Sequence, residues 1–352
     1  MIDRQKPINL ELIFIPSLML KLGITLLPII LLCSACASQT AKLVRLSTDY
    51  TVGDHFMQIT LRGTLDIPPQ AISGLPLVEL SGLAWDNDES VLYAVSDKGN
   101  IFHLQPTISG GLLKKVNIKA AYPLTDKSGK PLQGSFEDAE GIVLFNSNNG
   151  EKNDSQLLIS FEGKPRLDLY SNKGEWIDNI QLPHKLKNID HYQSGNKALE
   201  AVTHHLKFGT ITAPEYSLKN TEKNEIILYS TSGRRWRITR YPKSSSALVA
   251  LEFLPNGSLL LLERVFESAL HPIEIVLRQT WLTPGCEYKK NTRCKSNTLA
   301  IFNSAKGWSI DNFEGLTHHK GNHFFMVSDN NDMWFQRTLL SYFEIMSKEE
   351  IN

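Results

Sequence analysis

The chain has 352 residues, with 37 Lys plus Arg against 37 Asp plus Glu, for a formal net charge of zero. That balance lacks the broad positive field needed for non-specific nucleic-acid binding, so no nucleic-acid partner is expected. With 41% hydrophobic and 21% charged residues, wholesale disorder is excluded, and the core can be large enough to fold without metal or disulfide staples.

The first element is a leader. Leu22 to Leu32 is an uncharged, mostly apolar run, preceded by Lys21 and followed by Ser34-Ala35-Cys36-Ala37-Ser38. A basic flank, a short apolar segment and a small-residue cleavage site predict export. The run is shorter than the ~20 apolar residues of a comfortable membrane span; an uncleaved anchor is the alternative. Cys33-Ser34-Ala35-Cys36 resembles a bacterial lipoprotein box, with Cys36 as the lipidated residue, while Ala35-Cys36-Ala37 also fits ordinary signal cleavage. The expected destination is the periplasm or, as Ala37 is not Asp, the outer membrane as a lipoprotein. Membrane contact is then confined to the leader or a lipid on Cys36. Met19 would make a tighter start, because Asp3 and Glu11 are unusual for the region before an export signal. The leader is assigned to 1–36 and the folded domain to 44–345.

From residue 80 onward one pattern returns at intervals of about 60 residues. Copy one is Leu80-Ser81-Gly82-Leu83 followed by Val91–Asp97. Copy two is Ala139-Glu140-Gly141-Ile142 followed by Leu157–Glu162. Copy three is Leu199-Glu200-Ala201-Val202-Thr203-His204-His205 followed by Ile226–Ser230. A looser fourth is Ala250-Leu251-Glu252-Phe253 followed by Leu259–Arg264. The fifth is Phe313-Glu314-Gly315-Leu316-Thr317-His318-His319 followed by Phe324–Asn331. Each copy holds short apolar strands joined by turn residues such as Pro255-Asn256-Gly257, and no long segment has helical periodicity. Short strands at this period predict an all-β fold, a single β-propeller. Val44–Leu65 and Leu339–Phe343 have no copy of their own and could pair to complete a further blade. Six blades are expected, with five and seven open. Residues 104–135, 183–197, 207–224 and 265–300 read as polar or irregular insertions along one rim. Trp85, Trp176 and Trp236 are expected to pack between blades.

Cys286 and Cys294 bracket a polar, turn-like stretch. In an oxidising compartment a pair closing a short loop reads as a disulfide; zinc is the weaker reading, since no His or further Cys accompanies them.

The inner strand of a propeller blade faces the central channel, so Glu140, Glu200 and Glu314, which share one repeat position, are expected to meet at one mouth. Facing carboxylates repel and are costly to desolvate. A hard divalent cation resolves this, and oxygen-only ligands suit Ca²⁺. Asp97, Glu162, Glu263 and Asp329, at the ends of second strands, are further candidate ligands. Arg166 and Arg264 are candidate clamps for an anionic substrate, and His204 or His318 is a candidate proton donor. The competing reading makes each Glu a structural cap and each paired His one inward and one exposed residue.

As a set, Leu80-Ser81-Gly82-Leu83, Phe136-Glu137-Asp138-Ala139-Glu140-Gly141-Ile142, Ser160-Phe161-Glu162-Gly163-Lys164-Pro165-Arg166, Leu262-Glu263-Arg264 and Asn312–Leu316 through Ser328-Asp329-Asn330-Asn331 resemble the phytase-like ("esterase-like activity of phytase") family of exported bacterial proteins. The resemblance implies a propeller and phosphoester or ester hydrolysis. The Glu-Gly-apolar strand start also resembles gluconolactonase-type propellers, which implies a divalent metal on that Glu. The expected function is an exported hydrolase, monomeric, acting on a small anionic ester or phosphoester at a metal site. The alternative is a non-catalytic envelope propeller that binds a protein, glycan or small ligand.

Overall fold

A computed structural model describes residues 40–195, 197–268, 270–290 and 292–347; the leader and Cys36 lie outside these. Four blades are four-stranded antiparallel sheets, each running outward from the channel in chain order. The first holds Leu80–Asp86, Val91–Ser96, Asn100–Ser109 and Leu112–Pro123. Ala139–Phe145, Gln156–Phe161, Arg166–Ser171 and Trp176–Ile180 form the second. The third comprises Leu199–His205, Gly209–Pro214, Glu225–Ser230 and Arg235–Thr239. Ser246–Phe253, Leu259–Val265, Glu274–Thr280 and Ser296–Asn303 make the fourth.

The fifth blade is made from both ends of the domain. Asn312–His318, His323–Asp329 and Thr338–Ile345 supply its inner three strands. Ile59–Ile67 is hydrogen-bonded to the last of these, with Leu65 opposite Leu340, and Lys42–Val44 extends the sheet. The inner strands touch in cyclic order and the fifth returns to the first. Closure therefore uses two distant segments as a clasp, which removes the open edge an unclosed blade would present. The count of six gives way to five here. Val44–Leu65 and Leu339–Phe343 do pair, but they finish the fifth copy's own blade instead of building another.

The apolar core follows this arrangement. Five buried clusters occupy the five gaps between blades: Phe102, Leu83 and Phe325 meet between blades five and one, for example, and Tyr93, Ile142 and Phe161 between one and two. The other three gaps are filled in the same way. Trp236 is buried between blades three and four, while Trp85 and Trp176 are half-buried against neighbouring clusters. Because every apolar face is covered by a neighbour, no blade is self-sufficient; the ring is the folding unit.

Several stretches read as insertions are strands. Asn100–Ser109 and Leu112–Pro123 are long, partly exposed outer strands, whose Lys114 and Lys115 obscure the pattern. Gly209–Pro214 is the true second strand of blade three, and Ile226–Ser230 lies within its third. The expected disulfide is present, Cys286 to Cys294. Both half-cystines are buried against Trp236 and Ile238, so the stapled loop from blade four packs on the outer strand of blade three.

The channel itself is nearly closed. Gly82, Gly141, Ala201, Ala250 and Gly315 line a space of only about 10 Å³. A Cβ at Gly141 would lie 2.8 Å from the Glu200 carbonyl oxygen, and one at Gly315 2.6 Å from Val327 Cγ1. Gly141→Val is therefore expected to destabilise the fold by about 2–3 kcal/mol through overpacking, whereas Ala201→Gly costs about 1 kcal/mol or less; chemical unfolding curves check both. Replacing Cys286 and Cys294 by Ser should remove about 2–3 kcal/mol in the chain-entropy account of a short loop and lower the thermal midpoint, a loss that reductant reproduces in the wild type alone.

Candidate functional site

Each inner strand carries a bulge near its start. Register shifts fall between Leu80 and Gly82, Ala139 and Ile142, Leu199 and Ala201, Leu248 and Ala250, and Phe313 and Gly315. A bulge leaves one residue outside the ladder and re-aims its side chain. The residues so placed are Ser81, Glu140, Glu200, Val249 and Glu314. The small residue that follows each lets adjacent inner strands approach, which explains the Glu-Gly and Glu-Ala pairs. The fourth blade shows that its anchor is Val249, three residues before Glu252. Glu252 lies toward the other end of its strand, half-buried, where burial raises its carboxyl to about 8.

A second set comes from the ends of the second strands: Asp97, Glu162, Glu215, Arg264 and Asp329. Each directly follows the residue paired with the last one before the bulge of its inner strand. The charged members of the two sets form a cup of about 170 Å³ at one mouth of the ring, while Ser81 and Val249 line the narrow channel space. Asp97, Glu140, Glu162, Glu200, Glu215, Glu314 and Asp329 line it with Asn331, and Arg264 is the sole cation in its lining.

Arg264 takes the place that an acid holds in the other four blades. Its Nη2 pairs with Glu215 Oε1 at 2.9 Å and its Nη1 with Glu314 Oε1 at 2.5 Å, and it also donates to Asn312 Oδ1. Asn312 Nδ2 donates to Glu314 Oε1 at 2.8 Å and to Asp329 Oδ2 at 3.2 Å. Ser81 Oγ donates to Asp97 Oδ1. Two further contacts run between blades two and three: Glu162 Oε1 accepts from Ala198 N at 2.7 Å, and Ser160 Oγ donates to the Glu200 backbone carbonyl at 2.7 Å.

Burial raises every carboxyl in the cup, and neighbouring carboxylates add to the effect at most of them. Asp97, Glu140 and Glu200 are pushed well above the ordinary range. Glu162 and Glu314 rise to about 8, the latter despite Arg264, and Asp329 rises to about 6. Glu215 is raised by burial against the opposing pull of Arg264 and Lys197. For Arg264, burial works against the charge, but Glu314, Glu215 and Glu200 outweigh it and hold the proton more tightly.

The donor chemistry fits a hard cation. Asp97, Asp138 and Glu140 form one group of acids, and Glu162, Glu200 and Glu215 form another; in each, one oxygen per residue lies within 4.8 Å of the others. Oxygen-only, charge-rich groups of this kind suit Ca²⁺.

Of the residues singled out from the sequence, Asp97, Glu140, Glu162, Glu200, Arg264, Glu314 and Asp329 come together in the cup. Four do not. Glu263 points into its own blade, where it pairs with Arg278 at 2.6 Å and accepts from Ser246 Oγ and Tyr241 N; strand alternation sends it to the side opposite Arg264. Arg166 pairs with Asp168 at 2.6 Å and stacks on Phe161, outside the cup. His204 and His318 lie at the far ends of their inner strands, four residues beyond Glu200 and Glu314, which is about 13 Å along a strand. His204 bonds to Thr210 and abuts Phe145, and His318 Nε2 lies 2.8 Å from the Gly321 carbonyl. Two acids were missed. Glu215 was hidden because Gly209–Pro214, rich in Thr and Ala, does not read as a strand. Asp138 precedes Glu140 by two residues, a spacing that places both on one side of an extended chain.

Comparison with known proteins adds the following. No curated protein matches. Among solved structures, virginiamycin B lyase from Staphylococcus aureus is similar at 9% identity and a TM-score of 0.34, over 79% of this chain and 99% of that one. A gluconolactonase from Xanthomonas campestris is similar at 10% identity and a TM-score of 0.37, over 85% of this chain and 99% of that one. The family model "Phytase-like: Esterase-like activity of phytase" matches residues 76–332, a span that includes all five bulges and every cup residue, and the chain therefore belongs to the phytase-like family.

Proposed function

We propose that the protein is a Ca²⁺-dependent hydrolase of small anionic esters, phosphoesters foremost, acting in the acidic cup. The observation that carries this reading is the convergence of seven carboxylates on one small cavity with a single guanidinium. Bound there, a hard divalent cation supplies Lewis-acid polarisation of a substrate oxygen and an attacking water of lowered pKa.

The chain's own groups have separable roles. Asp97, Asp138 and Glu140, or Glu162, Glu200 and Glu215, present the oxygen ligands. Arg264, the one cation in the cup lining, attracts the anionic part of the substrate and keeps Glu215 and Glu314 in place. Asp329 lines the cup but lies outside both ligand groups, which leaves it free of the cation to hand a proton to the leaving oxygen. His204 and His318 have no part in this scheme, since they stand at the other end of the channel. A buried disulfide supports export to an oxidising compartment, so we place the protein in the periplasm or at the outer membrane, acting as a monomer.

A second reading, a non-catalytic propeller that binds a protein, glycan or small ligand, is favoured by one feature. Met333, Trp334 and Phe335 follow the cup residue Asn331 and are exposed, Trp334 by 93%.

Hydrolysis of p-nitrophenyl phosphate, p-nitrophenyl acetate and phytate, with Ca²⁺ or with EDTA, separates the two readings. The expected result is turnover that EDTA abolishes, that falls by ~100-fold or more in Glu200→Gln through loss of metal binding, and that falls by ~100-fold in kcat for Asp329→Asn through loss of proton transfer. Equal background rates for wild type and Glu200→Gln on all three substrates would remove the catalytic reading.

Stability in EDTA gives an independent check. Glu162 and Glu314 sit near 8 in the folded chain against an ordinary 4.5, and Asp329 near 6 against 3.8. The folded state thus keeps protons that the unfolded chain has released, and stability falls as pH rises from about 4.5 to about 8. Excess Ca²⁺ should cancel most of that fall; thermal unfolding at both ends of the window, with and without Ca²⁺, measures it.

A further inference from the structure

The rim beside the cup carries a feature of opposite charge. Glu215 places its carboxylate in the cup, whereas Tyr216, the next residue, lines a separate pocket of about 240 Å³. Lys197, Ser217, Lys223, Arg240 and Ser244 also line it. Three cationic side chains thus share a pocket whose lining has no carboxylate.

Arg240 is the residue whose surroundings are incomplete. It is only 5% exposed. Its Nη1 donates to the carbonyls of Glu215, at 3.5 Å, and of Ser246, and its Nη2 donates to Ser217 Oγ at 3.3 Å. Its Nε is buried without a partner among the described residues. All of these acceptors are uncharged, and among the described residues no carboxylate lies within ion-pair distance of the guanidinium, which Glu263 and Glu215 attract only from further away; a buried cation without a close anion costs several kcal/mol in general. Glu215 attracts Arg240 and Lys197 from a distance, but its carboxylate is bonded to Arg264 and faces the cup. Lys197 and Arg240 both stand over the Tyr216 ring, at 4.5 Å and 5.2 Å from its centre. Cation–π attraction to one ring therefore gathers two positive charges that would otherwise repel.

We propose that this pocket is an oxyanion-binding site, distinct from the cup, which takes a doubly charged tetrahedral group of the phosphate class. Three positive side chains favour a dianion over a monocarboxylate, and guanidinium and ammonium groups are both common partners of phosphate oxygens. The Ser244 hydroxyl adds a neutral donor, while Ser217, whose hydroxyl donates to the Glu225 carbonyl, holds Arg240 Nη2. The site opens on the same rim as the cup: Lys197 precedes the inner strand that begins at Leu199, and Ser244 precedes the one that begins at Ser246.

Calorimetric titration of the full chain with inorganic phosphate, in EDTA at fixed ionic strength, tests the site. EDTA leaves the cup without a cation, and its carboxylates then repel phosphate, so saturable heat reports the basic pocket. The wild type should bind one phosphate. The double variant Lys197→Gln with Lys223→Gln, both exposed positions, should bind it at least tenfold more weakly with an unchanged thermal midpoint, and Arg240→Lys should also weaken it. Acetate should bind the wild type at least tenfold more weakly than phosphate does. No saturable heat, equal affinity in wild type and the double variant, or acetate bound as tightly as phosphate would each overturn the proposal. No hydrolysis is involved, so an inactive cup leaves the site standing and an empty site leaves the cup's chemistry standing.

Discussion

Mutual repulsion among carboxylates forced to share one small, partly dry space is the constraint on which this molecule turns. Seven acids line a cavity of about 170 Å³ with a single guanidinium among them. At such separations each added negative charge raises the cost of the others, and desolvation raises it further. Nothing local in the blades favours this arrangement. It is imposed by the ring, whose five apolar interfaces close only when the five inner strands converge, and whose bulges then turn one side chain per strand toward the same point. Hydrophobic burial between blades supplies the free energy, and the cup is where part of it is spent.

Departures from five-fold repetition decide the chemistry. Were every blade like the second or third, the cup would be a symmetric ring of ten acids. Blade one instead has Ser81, which donates to Asp97. Blade four has Val249, an apolar residue 3% exposed, and Arg264 in place of an acid. Positive charge thus enters from one side and is bonded to Glu215 and Glu314. The two groups of acids with closely spaced oxygens involve Asp97, Asp138, Glu140, Glu162, Glu200 and Glu215, all from blades one to three. A cup whose acids face one guanidinium, held by Glu215 and Glu314, offers a hydrogen-bond donor to an anion beside its oxygen ligands, which a uniform ring of acids would not.

The sequence disclosed this plan unevenly, for physical reasons. Inner strands are buried on both faces and flanked by a required small residue, so Glu140-Gly141, Glu200-Ala201 and Glu314-Gly315 stand out wherever they occur, and with them the propeller and most of the cup. Lys114 and Lys115 in a partly solvated outer strand, and the buried Thr210 and Thr212 in the second strand of blade three, dilute the apolar pattern until a strand resembles a loop. Glu215 was lost with the second of these. The blade count turned on pairing between Leu65 and Leu340, segments separated by nearly the whole domain, and no local pattern states whether such a pair opens a new sheet or completes an old one. Glu263 and Arg264 show a further limit. They are adjacent and both suited to a site, but strand alternation sends one to Arg278 and the other into the cup, and a register error of one residue would exchange them.

The tight channel also bears on which groups can cooperate. Gly82, Gly141, Ala201, Ala250 and Gly315 leave a space of about 10 Å³ between the inner strands, a narrow waist between the two mouths of the ring. The two mouths of the ring are therefore separate chemical environments. Acids gather at one, and His204, His205 and His318 lie at the other, where burial lowers their pKa values and favours the neutral ring. Under the proposed hydrolysis, proton transfer falls to the cup's own carboxyl groups, and the burial that makes those groups costly to ionise is also what raises Asp329 to about 6 and Glu162 and Glu314 to about 8. A site assembled from oxygen ligands alone can in this way contain both the ligands for a cation and the acid for a leaving group, with no imidazole required.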